Sequence, residues 1–407
     1  MAPILVCAAG ALRAAAVSLV GILIAIHLAS EGLTPAAIGL VIGCGIAGSA
    51  VATIVTGLWA DQWGRRRTQV VIGVLSGAGY IAIAQVSAVL PLVAIAFVGL
   101  VNGMGRDRGP ASALDQAILP SLTDDEQRTW ALAWYNAAVD GGHAIGALAA
   151  AIPTLAVNLF AIDLAAAHTG TFTACGLVLI AASVPYAFLP ASIETRAADL
   201  HEPRTTSVDR ETRSVVGRIA MLFGMDSVGA GFLNASLIAY WFFERYGTSE
   251  AQLAGLFFGA RMLNVVSHVG AAWIARRIGL LNTMVFTHLP SSLLLMLAPA
   301  APSAAVASAL FLAREALVEM DVPTRQSYVM AVVPRSARTY ASGMTNVARN
   351  AGWVVGPLVA GNVMQHVALA APLFIGGTLK IAYDLLLYRS FRHVRPPEES
   401  RRIAVPV

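Results

Sequence analysis

Three charged residues, Arg106, Asp107 and Arg108, stand side by side in the stretch GMGRDRGP, with apolar runs on both sides. An aspartate between two arginines can form fixed ion pairs. It can also take up and release a proton if an arginine moves away, because burial favours the protonated carboxyl and a nearby cation the ionised one. A second set lies in AREALVEMDVPTRQ, where Glu315 and Glu319 share a helical face and Asp321 and Arg325, four apart, can pair along a helix. Asp140 and His143 are three apart, Arg349 precedes Asn350, Arg261 precedes Asn264 and His268, and Asp226 and Arg13 stand singly in apolar surroundings. Asp107, Asp321, Glu315, Glu319, Asp140, His143 and Asp226 are therefore candidates for proton coupling or substrate contact. Arg106, Arg108, Arg261, Arg325 and Arg349 are candidates for charge pairs or anion contacts. The competing reading makes Arg106, Asp107, Arg108, Asp115, Glu319, Asp321 and Arg325 static ion pairs that join helix pairs four–five and ten–eleven.

The elements that hold these groups follow from composition. Of 407 residues 57% are hydrophobic and only 12% are charged, and the mean hydropathy is +0.69. About a quarter of a typical soluble domain is charged. Apolar runs of roughly 20 residues recur from end to end, which predicts an all-α polytopic membrane protein of twelve spans, since lipid leaves no open backbone group satisfied. The spans are expected at roughly 5–29, 35–59, 68–88, 91–118, 127–152, 163–189, 214–240, 252–276, 280–300, 304–333, 339–365 and 369–389. If the fourth span were one straight helix, Arg106 would lie about 22 Å deep. Each unpaired charge there would cost about 2.5–3.5 kcal/mol, so the three must be paired or face water.

The loops sort by charge. Arg65 to Arg67, Arg128, Arg276, Arg277, Arg335, Arg338 and the arginine-rich tail fall on one side, and Arg245 on the other, which places both termini in the cytoplasm. The same sorting accounts for the pI of about 9.1 without nucleic acid as a partner. The polar stretch from Glu194 to Ser214 reads as a cytoplasmic linker. The expected organisation is a six-helix bundle over 1–190, a linker over 191–213, a second six-helix bundle over 214–390 and a tail over 391–407. The halves repeat: Asn136 matches Asn346, Gly142 matches Gly352 and Gly146 matches Gly356 at one offset, and Asp107 and Pro120 match Asp321 and Pro334 at a second. Two pseudo-symmetric bundles are what alternating-access carriers use. No cleavable leader is evident. Cys7, Cys44 and Cys175 stand singly and read as packing residues, the sole lysine, Lys380, as a product of genome composition, and His27 and His366 as residues near the outer surface in contact with interfacial water. Pro323 should bend the tenth span beside Asp321. Asn234 opens a glycosylation sequon but falls inside a span, so it is disregarded.

The stretch GLWADQWGRRR, between the second and third spans, resembles the loop motif of the major facilitator superfamily through Gly57, Ala60, Asp61, Gly64, Arg65 and Arg66. Trp59 and Gln62 depart from it, so an ion pair made through position 62 is not carried over. The resemblance implies the twelve-helix, two-bundle fold and a gate formed by Gly57, Asp61, Gly64, Arg65 and Arg66. The spaced glycines of span five partly match that family's antiporter motif and point to export.

Together these readings predict a secondary transporter that moves a small solute by alternating access, with proton-coupled efflux first and a proton-coupled importer or facilitator of a small polar or anionic metabolite second. The sequence holds neither the phosphate-binding loop of an ATP pump nor the motifs of a membrane hydrolase, so no enzyme, cofactor or metal site is expected. The expected partners are a small-molecule substrate and the lipid bilayer, the expected state a monomer, and the expected location the bacterial cytoplasmic (inner) membrane.

Overall fold

The computed structural model describes residues 2–123, 127–194, 209–334 and 337–393. Most of the predicted linker and nearly all of the tail lie outside them. Among the described residues every regular element is helical, and each predicted span coincides with one helix or with a broken pair. The first three are α1 (Ala2–Ser30), α2 (Pro35–Trp63) and α3 (Arg65–Ile83). Thr34 caps α2 and Pro35 opens it, the arrangement expected where a donor is missing anyway. The α2–α3 turn is made at Gly64, whose φ of +93° suits glycine. The equivalent turn in the second half is made at Gly279, with a φ of +90°.

The fourth span is not one helix. It consists of α4 (Val89–Val98) and α5 (Pro110–Ile118), joined by an irregular segment that holds the whole GMGRDR stretch. Four glycines within residues 99–109, followed by Pro110, explain the break. The depth calculated for a straight helix therefore does not apply to Arg106. Next come α6 (Arg128–Ala149), α7 (Ile152–Phe160) and α8 (Leu164–Ala187).

The second half begins with α9 (Arg210–Phe232) and α10 (Ala235–Tyr246), one predicted span broken at Leu233–Asn234. Asn234 is the cap of α10: its side chain accepts from the Leu237 N–H at 2.9 Å. Asp209 caps α9 at its exposed end, and hydrogen bonds from Thr212 hold its carboxyl below the usual carboxylate range. There follow α11 (Glu250–Ile278), α12 (Leu280–Leu297), α13 (Ala304–Val318), α14 (Asp321–Val332), α15 (Arg338–His366) and α16 (Ala371–Phe391). The bend expected at Pro323 is a break at Glu319–Met320, with Pro323 in the first turn of α14. Among the described residues seven helical stretches are long and apolar enough to cross a membrane.

The chain forms two compact units. One comprises Met1–Pro203, Asn234–Phe258 and Pro357–Leu369; its core gathers Ile118, Leu119, Tyr135 and Tyr186. The other comprises Arg204–Leu233, Gly259–Gly356 and Ala370–Val407, with a core around Phe223, Tyr328, Tyr383 and Phe391.

The repeat seen in the sequence has one packing role in both units. A Cβ on Gly142 or Gly146 of α6 would lie 2.2 or 2.0 Å from the carbonyl oxygens of Ala11 and Ala15 on α1. A Cβ on Gly352 or Gly356 of α15 would lie 2.5 Å from the Gly224 oxygen or 2.4 Å from the Gly231 Cα on α9. Without a hydrophobic drive between helices in lipid, such close backbone approach is the main source of attraction. Gly146→Val should lower the melting temperature of the detergent-purified protein, at a cost of about 1–3 kcal/mol for overpacking. Gly141→Ala, where an added Cβ meets nothing within 4 Å, should leave it unchanged or slightly raised.

Candidate functional site

In the first unit the charged groups converge on α1. The Arg13 guanidinium donates from Nε to Asp107 and from Nη2 to Asp115, each at 2.7 Å. Asp115 is wholly buried and accepts three further bonds: from Gln69 of α3 at 2.8 Å, Tyr135 of α6 at 2.9 Å and Tyr186 of α8 at 2.6 Å. Five helices thus meet at one carboxylate on α5. The Asp107 carboxylate is held by Arg13, 94 residues away in sequence. Of the arginines beside it, Arg106 is half-buried and Arg108 exposed. The ion pairs of Asp107 and Asp115 therefore run to α1, while Tyr135 and His143 of α6 add the hydrogen bonds that join the fourth span to the fifth.

The irregular segment that carries Asp107 has its backbone satisfied by side chains. Asn102 donates to the Arg106 carbonyl and accepts from the Met104 N–H, both at 2.8 Å. The Asp107 N–H donates to His143 Nε2 at 2.8 Å, so His143 helps to hold the break in place. Asp140, three residues before it, is half-exposed, 3.9 Å from the imidazole. Ser236 of α10 donates to the Gly103 and Gly21 carbonyls at 2.5 and 2.7 Å. Beside Arg13 and Asp107 a cavity opens, lined by Ser49, Gln69, Ser76 and Asn102 and, over more of its wall, by apolar side chains such as Val17, Ile72, Leu100 and Leu179.

The second unit builds a longer chain of contacts. Asp226 of α9 accepts from Lys380 of α16 at 2.7 Å and from Arg325 of α14 at 3.1 Å. Arg325 also pairs with Asp321 at 2.9 Å, as the four-residue spacing predicts. Lys380 Nζ lies 3.3 Å from His288 Nε2 on α12. The other ring nitrogen faces both oxygens of Asp384 at 3.0 and 3.1 Å. All six side chains are buried. Asp226 lies 213 residues after Arg13, so each unit seats its cluster at a similar place on its first helix, with the sign of the charge reversed. Again the ion pair of Arg325 runs to the first helix of the half.

Lys380, His288, Asp384, Gln69, Tyr135 and Tyr186 were not among the sequence candidates. Lys380, read along the chain as a product of composition, is buried and ion-paired with Asp226. Two signals could have found it: an in-span lysine carries the same insertion cost argued for Arg106, and Asp384 lies four residues on.

The remaining candidates lie apart from these clusters. Buried Glu315 pairs with its neighbour Arg314. Glu319 is 3.5 Å from His268. Arg349 sits over the Trp353 ring at 4.8 Å. Arg261 is half-buried on α11. In the loop motif Asp61 pairs with Arg65 at 2.8 Å, and Glu194 accepts from the Arg65 N–H at 2.6 Å and from Arg66 Nε at 3.1 Å. Glu194 thus caps α3, a role no motif assigned. Gly57 makes no close approach, since a Cβ there would meet nothing within 4 Å. His27, expected at interfacial water, is instead buried, with its ring edge-on to His168 at 5.3 Å. His168 Nε2 lies 2.5 Å from Glu250, at the start of α11.

The sequence profile of the Major Facilitator Superfamily matches residues 6–357. An uncharacterized membrane protein of Saccharomyces cerevisiae, YJR124C, is 24% identical over 409 residues, covering 92% of this chain and 91% of its own. Among solved structures, a mutant form of the nucleoside transporter NupG superposes with a TM-score of 0.77 at 12% identity, covering 96% of this chain and 100% of that one. The D-xylose-proton symporter superposes with a TM-score of 0.70 at 15% identity, covering 95% and 96%.

The two kinds of ion pair should respond differently to truncation. Asp115→Ala leaves Arg13 paired with Asp107 alone and removes a buried acceptor of Gln69 and two phenols, and should cost about 3–5 kcal/mol, read as loss of the monodisperse peak or of melting temperature in detergent. Glu194→Ala removes a partly exposed pair and a cap, and should cost about 1 kcal/mol.

Proposed function

This chain belongs to the major facilitator superfamily, and on that premise we propose that it carries a small polar solute across the membrane by alternating access, in exchange for protons. The observation that carries the reading is the cavity beside Arg13 and Asp107. Arg13 of α1, Gln69 of α3 and the irregular segment with Asn102 and Asp107 line it, and side chains satisfy that segment's backbone. A wide hydrophobic substrate would find little to stack on in a chain only 7% aromatic, whereas hydroxyl, amide or anionic groups would find Ser49, Asn102, Gln69 and Arg13. Irregular backbone at membrane depth is tolerated where it is buried in protein or lines such a cavity.

In this reading the two six-helix halves rock about the solute, both termini lie in the cytoplasm, and the chain works as a monomer. The loop at Asp61, Arg65 and Glu194 acts as a latch on the cytoplasmic face. The glycine spacing of span five no longer bears on direction. Gly142 and Gly146 pack α6 on α1 as Gly352 and Gly356 pack α15 on α9, so they serve helix packing in both halves. Export in exchange for protons and import with protons differ only in the sign of the coupled flux.

The test is a panel of nucleosides, sugars, organic anions and cationic drugs added to proteoliposomes with an acid interior and an internal pH dye. One class of solute should collapse the gradient with wild type. Ser49→Val, which adds apolar bulk to the cavity wall, should weaken that response and also solute counterflow. Asp107→Asn should raise the half-saturating solute concentration. A Ser49→Val variant that transports like wild type would remove the cavity from the route.

A further inference from the structure

The second unit holds six ionisable side chains in one buried chain of contacts: Asp321, Arg325, Asp226, Lys380, His288 and Asp384. Three are carboxylates and two are permanent cations. With the imidazole neutral, the group carries one negative charge too many in a region that disfavours any net charge. One added proton balances it. We propose that the His288–Asp384 pair is a binding site for a single proton, and that Lys380 leaves the imidazole when that proton arrives. The proposal rests on reading the chain as a proton-coupled carrier and says where the proton is held.

The geometry dictates how the proton would act. In the unprotonated state the imidazole carries its hydrogen on Nδ1, directed at the two Asp384 oxygens at 3.0 and 3.1 Å. Its one lone pair, on Nε2, then accepts from the Lys380 ammonium at 3.3 Å. A neutral imidazole has one donor and one acceptor, and both are used. A proton added at Nε2 turns that acceptor into a donor. The imidazolium and the ammonium would then face each other with like charge and no lone pair between them. Lys380 keeps its three hydrogens and its bond to Asp226 at 2.7 Å and must turn away from the ring. No other bond is made or broken, and the group passes from a net charge of minus one to zero.

Among the described residues the charged groups near the ring come from α16, α9, α14 and α13. From α16 these are Lys380, Asp384 and the phenol of Tyr383, whose ring is edge-on to His288 at 6.1 Å. From α9 there is Asp226, which links the ring's neighbour Lys380 to Arg325 and Asp321 of α14. The α13 charges, Arg314 and Glu315, are paired with each other. Neighbours of His288 on its own helix, Thr287, Ser291 and Ser292, carry no charge. Because Asp226 and Arg325 tie α9 to α14, a Lys380 released from the ring changes the contacts that join four helices.

The experiment needs no solute. Purified wild type, His288→Gln, Asp384→Asn and Lys380→Gln in lipid nanodiscs are titrated between pH 5 and 9, with proton uptake read by an indicator dye and carboxyl and imidazole bands by infrared difference spectroscopy. Wild type should bind one proton more than His288→Gln or Asp384→Asn. In Lys380→Gln the step should move to higher pH by about one unit or more, since removing a cation within about 4 Å favours the protonated form. Equal proton counts in all four proteins, or an unmoved step in Lys380→Gln, would overturn the proposal. If His288→Gln and Asp384→Asn fail to fold, the direction of the Lys380→Gln shift decides alone. A wild type that shows the step but moves no solute in liposomes counts against the carrier reading and leaves the proton site standing.

Discussion

Five helices of the first unit are held at one atom group, the carboxylate of Asp115. It is wholly buried and accepts hydrogen bonds from Arg13, Gln69, Tyr135 and Tyr186. A carboxylate in a medium of low dielectric must be neutralised and have its lone pairs filled, or it would not remain there. That demand fixes where α1, α3, α6 and α8 stand around α5 more sharply than apolar packing could, because lipid and leucine are nearly equivalent neighbours. Arg13 extends the constraint to Asp107 and so to the irregular segment beside the cavity.

The same physics explains why the fourth, seventh and tenth predicted spans are broken. A broken helix in a membrane exposes carbonyl and amide groups that cost several kcal/mol each if left unpaired. Asn102 and His143 satisfy those of residues 102–107, and Ser236 reaches the carbonyls of Gly103 and Gly21. At the second break Asn234 caps α10, and at the third Thr324 returns its hydroxyl to the Met320 carbonyl. Two of the three breaks carry or adjoin an ionisable group: Asp107 lies in the first and Asp321 opens the helix after the third. Irregular backbone and charge thus occur together there, since both need polar surroundings.

The two units solve the same problem with opposite signs. A cation on α1 gathers two acids in the first; an acid on α9 gathers two cations in the second. Their glycine pairs at Gly142 and Gly146, and at Gly352 and Gly356, bring α6 onto α1 and α15 onto α9. The packing surfaces were therefore kept through the repeat while the chemistry on the first helix diverged.

Local properties of the sequence determined the helices and the existence of charge within the apolar runs. Hydrophobic run length, the glycine repeat and the cost of charge in lipid can all be read along the chain, and so could the Asp321–Arg325 pair, whose partners are one helical turn apart. Only the tertiary structure decided which charges meet. Arg13 and Asp107 are 94 residues apart, Asp226 and Lys380 are 154, and His288 and Asp384 are 96. A span's periodicity says which residues share a face but not which helix that face meets. Arg106 and Arg108, the neighbours of Asp107 in sequence, would point away from it on a straight helix, since adjacent side chains there do not face each other. The glycines around them turn the backbone out of the helix, and the pairing passed to an arginine on α1.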